Sequence, residues 1–268
     1  MLANMPESAR IYYLNLDRHP DRRANMDKQF SNLGLDAERV AAIDAETASE
    51  AELNNYVDAA GPIPRMGAGA RACTVGHFLI WEKFLKTDAK VAFILEDDAK
   101  VSSTFAEFID EAIKISDEVD ILNFNRQNSK GDTKKLVVAK AGVLQTPVFD
   151  AMRLLGPHYG TAGYMITRTT AQRLVHQIKR TNIPIDHLLF NPNVSNFNRS
   201  SRIYQSFPAM VEPDIARFVT SIQSEAVPDS VHWRKKLSRA YYETNRIPFL
   251  LLQMALNRAA VRNLYFQS

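Results

Sequence analysis

An apolar run that ends in three acidic residues constrains the fold of this chain more than any other feature. Residues 91–95 read VAFIL, and Glu96, Asp97 and Asp98 follow directly. A short, continuous apolar run is typical of a strand buried on both faces of a sheet. Adjacent carboxylates resist burial unless a cation neutralises them. The pattern therefore predicts a buried strand whose carboxyl end carries either a cation site or a solvated turn that caps the next helix.

The segments around this run alternate between strand and helix patterns. Pro20 suits the first turn of a helix that Gly34 ends, and helical spacing of apolar residues follows from Cys73 onward. Further runs have the length and the aromatic or β-branched content of strands: 11–16, 38–44, 119–124, 160–167 and 202–213. We therefore expect an α/β fold with a mainly parallel central sheet.

The position of the acidic residues then indicates a ligand. In open α/β sheets, ligands bind outside the carboxyl ends of the strands. Ligand sets made only of oxygen suit Mg²⁺ or Mn²⁺, which bind one or two carboxylates together with substrate phosphates. The acidic triplet thus predicts a site for a metal ion and a diphosphate. By contrast, the polar stretch 125–131 is interpreted as a surface turn in preference to a sugar-binding segment.

Charge is spread unevenly along the chain. The whole chain has a net charge of +3, whereas residues 231–262 contain seven basic residues and one acidic residue, interleaved with apolar ones. This composition is typical of a helix on an anionic membrane surface, or of an extension packed on the body or on a second subunit. We predict a catalytic domain at 1–228 and a basic amphipathic helical extension at 229–262. Residues 263–268 resemble an expression-tag scar and are left out of the fold prediction.

Composition also excludes some classes of protein. The single cysteine, Cys73, excludes an internal disulfide and suits a reducing compartment. The first residues lack the apolar region of a signal peptide, so we expect a cytoplasmic protein on the inner face of the membrane. No basic aromatic patch appears in the body, which argues against a nucleic-acid partner.

Four stretches, in order, resemble the motifs of glycosyltransferase family 25, the bacterial lipooligosaccharide galactosyltransferases and their relatives. They are YLNLDRHPDRR, GARACTVGHFLIW, FILEDDAKV, and GTAGYMITRTTAQRLV followed by IPID. Ala72 and Gly76 depart from the family pattern, which tends to have Gly and Ser there; the second change removes a hydroxyl from a helix expected to face substrate. The resemblance implies a GT-A fold, a UDP-sugar donor, usually UDP-galactose, and inversion at the anomeric carbon.

The resemblance also implies roles for particular residues. Asp98 would hold Mn²⁺ or Mg²⁺ with help from Asp97 or Glu96. Asp17 and Arg18 would contact the nucleoside and phosphate end of the donor, unless Asp17 only orients its loop. His77 would lie in the donor site, although a lone histidine on an apolar helix face is more often a core residue.

Inverting transfer further needs a base that removes the proton of the acceptor hydroxyl. Asp186, which follows Pro184 and Ile185, is the first candidate, and its alternative role is to cap the helix that begins there. Glu212 and Asp150 are the fallbacks.

The sequence as a whole favours an inverting, metal-dependent hexosyltransferase acting on a lipid-linked oligosaccharide. Two other interpretations stay open. A metal-dependent phosphoesterase would use the same acidic residues without needing the uridine. A non-enzymatic protein of the membrane surface would use them only as a turn.

Overall fold

The computed structural model describes residues 7–58, 66–127, 134–218, 240–242 and 244–268. The polar stretch after residue 127 and the tail between 219 and 239 thus fall largely outside the described residues. Within them, no helix combines the length and the hydropathy that a membrane crossing requires.

A single mixed sheet forms the centre of the fold. The strands in chain order are β1 (Ala9–Asn15), β2 (Glu38–Ala41), β3 (Val91–Glu96), β4 (Ala99–Val101), β5 (Ile121–Asn123), β6 (Lys134–Ala139), β7 (Leu144–Gln145), β8 (Asp150–Arg153), β9 (Gly163–Thr167), β10 (Ile203–Phe207), β11 (Val211–Pro213) and β12 (Ala259–Leu264). Among the described strands, eight form the central sheet in the order β2-β1-β3-β9-β5-β10-β8-β7. Six of the eight run in one direction, and only β8 and β9 run the other way. The predicted α/β fold with a mainly parallel sheet is confirmed.

Helices cover the sheet and connect its strands. They are α1 (Pro20–Asn32), α2 (Glu50–Asn54), α3 (Ala68–Leu85), α4 (Phe105–Lys114), α5 (Arg168–Gln172), which continues as a π-helix (Arg173–Ile178), α6 (Ile185–Phe190), α7 (Asn196–Arg199) and α8 (Ile247–Ala255). The segment between β2 and α3 contains α2, whose start has a capping box between Ser49 and Glu52. The strand predicted at 202–213 divides into β10 and β11.

The central strand β3 is buried on both faces, as its composition predicts. Phe93 and Leu95 pack into the core on one side of the sheet, with Phe108 of α4. Ala92 and Ile94 pack into the core on the other side, with Trp81 of α3. Because the strand is fixed from both sides, the residues that follow it start from a rigid position.

The C-terminal residues belong to the fold. Strand β12 pairs antiparallel with β6, and the side chain of Leu264 is fully buried. The backbone of Ala209 also exchanges hydrogen bonds with Tyr265 and Gln267. The interpretation of 263–268 as a tag scar stays a prediction, and the extension is helical in α8 but extended in β12.

Candidate functional site

The acidic residues lie where the carboxyl ends of two parallel strands meet. Glu96 at the end of β3 is in register with Leu14 near the end of β1. The next residue of β1, Asn15, donates a 2.8 Å hydrogen bond from Nδ2 to Asp97. The predicted location of the cluster, at the carboxyl edge of the sheet, is therefore confirmed.

Asp97 is already neutralised by a residue of the protein. The guanidinium of Arg22 on α1 lies 3.0 Å from the Asp97 carboxylate, and both side chains are about one tenth exposed. Arg22 also lies over the ring of Phe218, 5.3 Å from its centroid. Asp97 therefore supports the site by fixing α1 against β3, and its capacity to bind a metal ion directly is reduced.

Asp98 is in the opposite situation. Its Oδ1 is buried and has no hydrogen-bond partner. Burial, followed by the negative charges of Glu96 and Asp97, raises the pKa of Asp98 to about 7. A buried carboxylate oxygen without a partner beside two other carboxylates is the environment that a divalent cation relieves. The residues present therefore fit a Mn²⁺ or Mg²⁺ ion at Asp98.

Glu96 has partners on two other elements. The hydroxyl of Thr161 donates to its Oε1, and His77 Nε2 lies 3.7 Å from the same oxygen. Burial would raise the pKa of Glu96, but the His77 ring and the Thr161 hydroxyl together leave that pKa below its ordinary value. The environment of Glu96 therefore favours its charged form, whereas that of Asp98 favours the protonated form.

Two aromatic residues hold the ring of His77 in place. It is fully buried, its Nδ1 lies 2.8 Å from the hydroxyl of Tyr164, and the same hydroxyl accepts a 3.0 Å hydrogen bond from Trp81 Nε1. The side chain of Trp81 is itself fully buried. His77 acts on the site through Glu96, so it is a positioning residue and does not itself lie open to a donor.

Asp17 and Arg18 follow β1 and form ion pairs with residues of β2 and of the segment after it. Asp17 is exposed and forms an ion pair with Arg39. Arg18 lies 3.0 Å from Asp44 and 2.8 Å from Glu46. Asp17 thus holds Arg39 of β2, which also donates to Asn15, and Arg18 orders the segment after β2.

Asp186 holds backbone groups at the start of α6. Its Oδ1 accepts a 2.8 Å hydrogen bond from His187 N, and its Oδ2 accepts a 3.2 Å bond from Gly160 N. It therefore fixes the segment that carries Thr161, the partner of Glu96. Asp186 is the second residue of α6 and Pro184 is its N-cap, so Asp186 is not the cap residue, and its role as base stays a prediction.

Glu212 on β11 is part of a buried ion pair. Arg126 donates to its Oε2 from Nη2 and, over 3.2 Å, from Nε, and Lys100 Nζ lies 3.8 Å from its Oε1. These contacts engage both carboxylate oxygens of Glu212, so the residue would have to give up its pairing with Arg126 to accept a proton. Asp186 therefore stays the better candidate of the two.

Three features of the site are absent from the sequence interpretation. Arg22 lies 75 positions before Asp97 in the chain, but it is buried against Asp97. Asn125 was expected in a surface turn, but it is fully buried and donates to Asn123 Oδ1 at 3.0 Å and to Gly160 O at 3.0 Å. Asn123, Asn125 and Gln205 each bury one polar atom without a partner, which makes this patch a candidate surface for sugar hydroxyls.

Gly76 does not face substrate, contrary to the sequence expectation. A Cβ atom at this position would lie 2.5 Å from Cδ2 of Leu14 on β1. The missing hydroxyl is therefore explained by the close packing of α3 on β1.

Comparison with known proteins agrees with the order of motifs. The family model described as glycosyltransferase family 25 (LPS biosynthesis protein) matches residues 8–189. A glycosyltransferase 25 family member from Aedes aegypti is 29% identical over 225 residues, which cover 76% of this chain and 35% of the relative.

Relatives of other lengths match as well. The lipooligosaccharide biosynthesis protein lic2B of Haemophilus influenzae is 27% identical, and the matched region covers 74% of this chain and 74% of the relative. Procollagen galactosyltransferase 2 of Homo sapiens is 22% identical over a region that covers 62% of this chain and 27% of the human protein. The chain spans about a third of the length of the insect relatives it matches. Since the family model covers well over half of its residues, this chain belongs to glycosyltransferase family 25.

Proposed function

We propose that this protein is a metal-dependent, inverting glycosyltransferase that transfers a hexose, with galactose as the first candidate, from a UDP-sugar to a lipooligosaccharide or related surface glycan. The observation that carries the proposal is the buried, unpartnered Oδ1 of Asp98 next to Glu96 at the carboxyl edge of the sheet. The name of the Haemophilus relative supports the acceptor class, and that of the human relative supports galactose.

The residues around Asp98 have separate tasks in this proposal. Asp98, assisted by Glu96, holds Mn²⁺ or Mg²⁺, while Arg22 and Asn15 keep Asp97 in place. When bound, the ion stabilises the negative charge that develops on the diphosphate as UDP leaves. Asp17 and Arg18, at the same sheet edge, contact the nucleoside end of the donor.

The acceptor hydroxyl loses its proton to a carboxylate on the other side of the site. Asp186 is the base, because among the described contacts its oxygens accept only from backbone N–H groups and retain lone pairs for a proton. Glu212 is the alternative, at the expense of its pairing with Arg126. The buried amides of Asn123 and Asn125 bind sugar hydroxyls.

The decisive experiment measures UDP binding by calorimetry with and without Mn²⁺. The wild-type protein is expected to bind UDP only with Mn²⁺, and Asp98→Asn is expected to lose this binding while it stays folded. Asp88→Asn is the matched control, since Asp88 is exposed and precedes the opposite end of β3. Unchanged Mn²⁺-dependent binding by Asp98→Asn would refute the proposed site. If simple phosphates bind as tightly as UDP, the result would favour the phosphoesterase.

An anionic membrane surface is the proposed partner of the C-terminal extension. On α8, Leu251 is 60% exposed and Leu252 54% exposed, and Arg246 and Arg258 flank the helix. Exposed apolar residues beside basic ones match the interface of an anionic bilayer, on the inner face of which a lipid-linked acceptor is presented. We thus place the protein in the cytoplasm, peripherally bound to that face.

Vesicle sedimentation tests this part of the proposal. Phosphatidylserine vesicles are expected to sediment the wild-type protein, with loss of binding at high salt, while phosphatidylcholine vesicles are not. Leu251→Asp should abolish sedimentation without unfolding the protein, because the side chain is exposed. Val261→Asp is the control, since Val261 is also exposed but lies on β12. Equal sedimentation of the Leu251→Asp variant would exclude α8 as the docking surface.

A further inference from the structure

A second group of metal-ligating side chains includes Glu96 but not Asp98. Cys73, His77 and Glu96 bring one sulfur, one nitrogen and one oxygen within 4.8 Å of one another. Cys73 and His77 come from the same face of α3, one turn apart, and Glu96 comes from the end of β3. Cys73 has no role in the reaction proposed above, and His77 acts there only by positioning Glu96.

The nitrogen that faces this group has no hydrogen-bond partner. His77 is fully buried, and its Nε2 is unpartnered. Its distance of 3.7 Å to Glu96 Oε1 is too long for a hydrogen bond. Tetrahedral zinc with nitrogen and oxygen ligands at their usual bond lengths separates the two ligand atoms by about 3.4 Å. The observed spacing thus resembles that of two ligands of one ion more than that of a bonded pair.

The other nitrogen of His77 already has the support that a metal ligand requires. Histidines that bind metals usually donate their second ring N–H to a fixed acceptor, which orients the ring. The Tyr164 hydroxyl lies 2.8 Å from Nδ1 and is itself fixed by Trp81. With two lone pairs, that hydroxyl can accept from both Trp81 and His77.

The set of donor atoms selects the kind of metal. Thiolate and imidazole ligands favour Zn²⁺, whereas Mg²⁺ and Mn²⁺ favour oxygen. We propose that Cys73, His77 and Glu96 form a zinc-binding site that is distinct from the oxygen-only site at Asp98 and shares Glu96 with it. Zinc bound there has three protein ligands and an open fourth position. Cys73 binds as the thiolate, and its proton is released to solvent.

Cobalt spectroscopy of the metal-free, full-length protein tests the proposal. Co²⁺ occupies zinc sites and gives a charge-transfer absorption band only when a thiolate is a ligand. We expect this band to saturate at about one equivalent of Co²⁺ and to disappear when Zn²⁺ is added. Cys73→Ser should lack the band, and Asp98→Asn should keep it. A folded wild-type protein without a thiolate band, or an equal band in Cys73→Ser, would overturn the proposal.

A second measurement needs no variant. Since Cys73 is the single cysteine of the chain, its reaction with a thiol reagent is read without interference. Zinc is expected to slow this reaction at least tenfold and Mg²⁺ to leave it unchanged; equal rates with zinc and Mg²⁺ would contradict the site. Neither measurement depends on UDP, so the zinc site and the proposed transferase can fail separately.

Discussion

The guanidinium of Arg22 lies 3.0 Å from the carboxylate of Asp97, a residue 75 positions further along the chain. This contact joins the first helix to the end of the central strand, in a place where both side chains are nearly inaccessible to water. It also separates Asp97 from the two carboxylates beside it, because only Asp97 has a cation from the protein itself at this distance among the described contacts.

The Arg22–Asp97 pair is expected to be strongly coupled. Arg22→Met leaves Asp97 buried without its cation, so we expect it to lower the free energy of unfolding by about 3–5 kcal/mol. Urea unfolding measures the loss. The double variant Arg22→Met/Asp97→Asn should be more stable than Arg22→Met, because the unpaired charge is gone. A double variant that loses the sum of both single changes would show that the two residues do not interact.

Asp98 should make the stability of the metal-free protein depend on pH. Its pKa is about 7 in the folded state against an ordinary value of 3.8. Between these values the folded state retains a proton that the unfolded state has lost, so the contribution of Asp98 to stability falls as pH rises toward 7. As the pH rises from 5 to 8, the free energy of unfolding of Asp98→Asn should therefore increase by roughly 3 kcal/mol relative to that of the wild type.

Denaturant unfolding in the presence of a chelator, at several pH values, measures this difference. Asp88→Asn provides the baseline for removing an exposed carboxylate. A difference between Asp98→Asn and wild type that stays constant with pH would mean that Asp98 titrates at its ordinary pKa.

Asp186→Asn separates the proposed role as base from the structural role of accepting two backbone hydrogen bonds. The amide oxygen of asparagine can keep one of the two backbone hydrogen bonds, so we expect the fold and the affinity for UDP to stay close to wild type. Turnover should fall by roughly a hundredfold or more. The rate of UDP release, measured with acceptor against pH, should lose its acidic limb. Near-normal turnover would transfer the role to Glu212.

Gly76→Ser tests why this chain departs from the family motif. The new Cβ would contact Leu14 at 2.5 Å, and overpacking of this kind costs about 1–3 kcal/mol. Thermal unfolding measures the loss, and Leu14→Ala in the same chain should recover part of it. The affinity for UDP should not change, because Gly76 points away from the site. A changed UDP affinity without a change in stability would restore the substrate-facing interpretation.

Leu264→Ala tests whether the C-terminal strand belongs to the body. Leu264 is fully buried, so its truncation should lower the free energy of unfolding by about 2–5 kcal/mol. Val261→Ala on the same strand is the matched control, since its side chain is 51% exposed and its loss should cost little. Similar, small effects of both changes would mean that β12 adds little to the stability of the fold.

The sequence by itself determined the elements with strong local patterns. The apolar residues of β3 predict a strand buried on both faces, and the acidic residues behind them are placed at the carboxyl edge because parallel strands end there. The pairing of β12 with β6 and the reversed direction of β9 were not predictable, since hydrophobic periodicity is the same for a strand running either way.

Only the tertiary structure decided how three adjacent carboxylates differ. Asp97 meets Arg22 and Asn15, Glu96 meets Thr161 and His77, and Asp98 keeps an oxygen without a partner. These partners come from α1, β1, α3 and the segment before β9. Consecutive residues at the end of a strand point in different directions, so each one meets a different part of the fold. Their charges and pKa values therefore depend on residues that lie far away in the sequence.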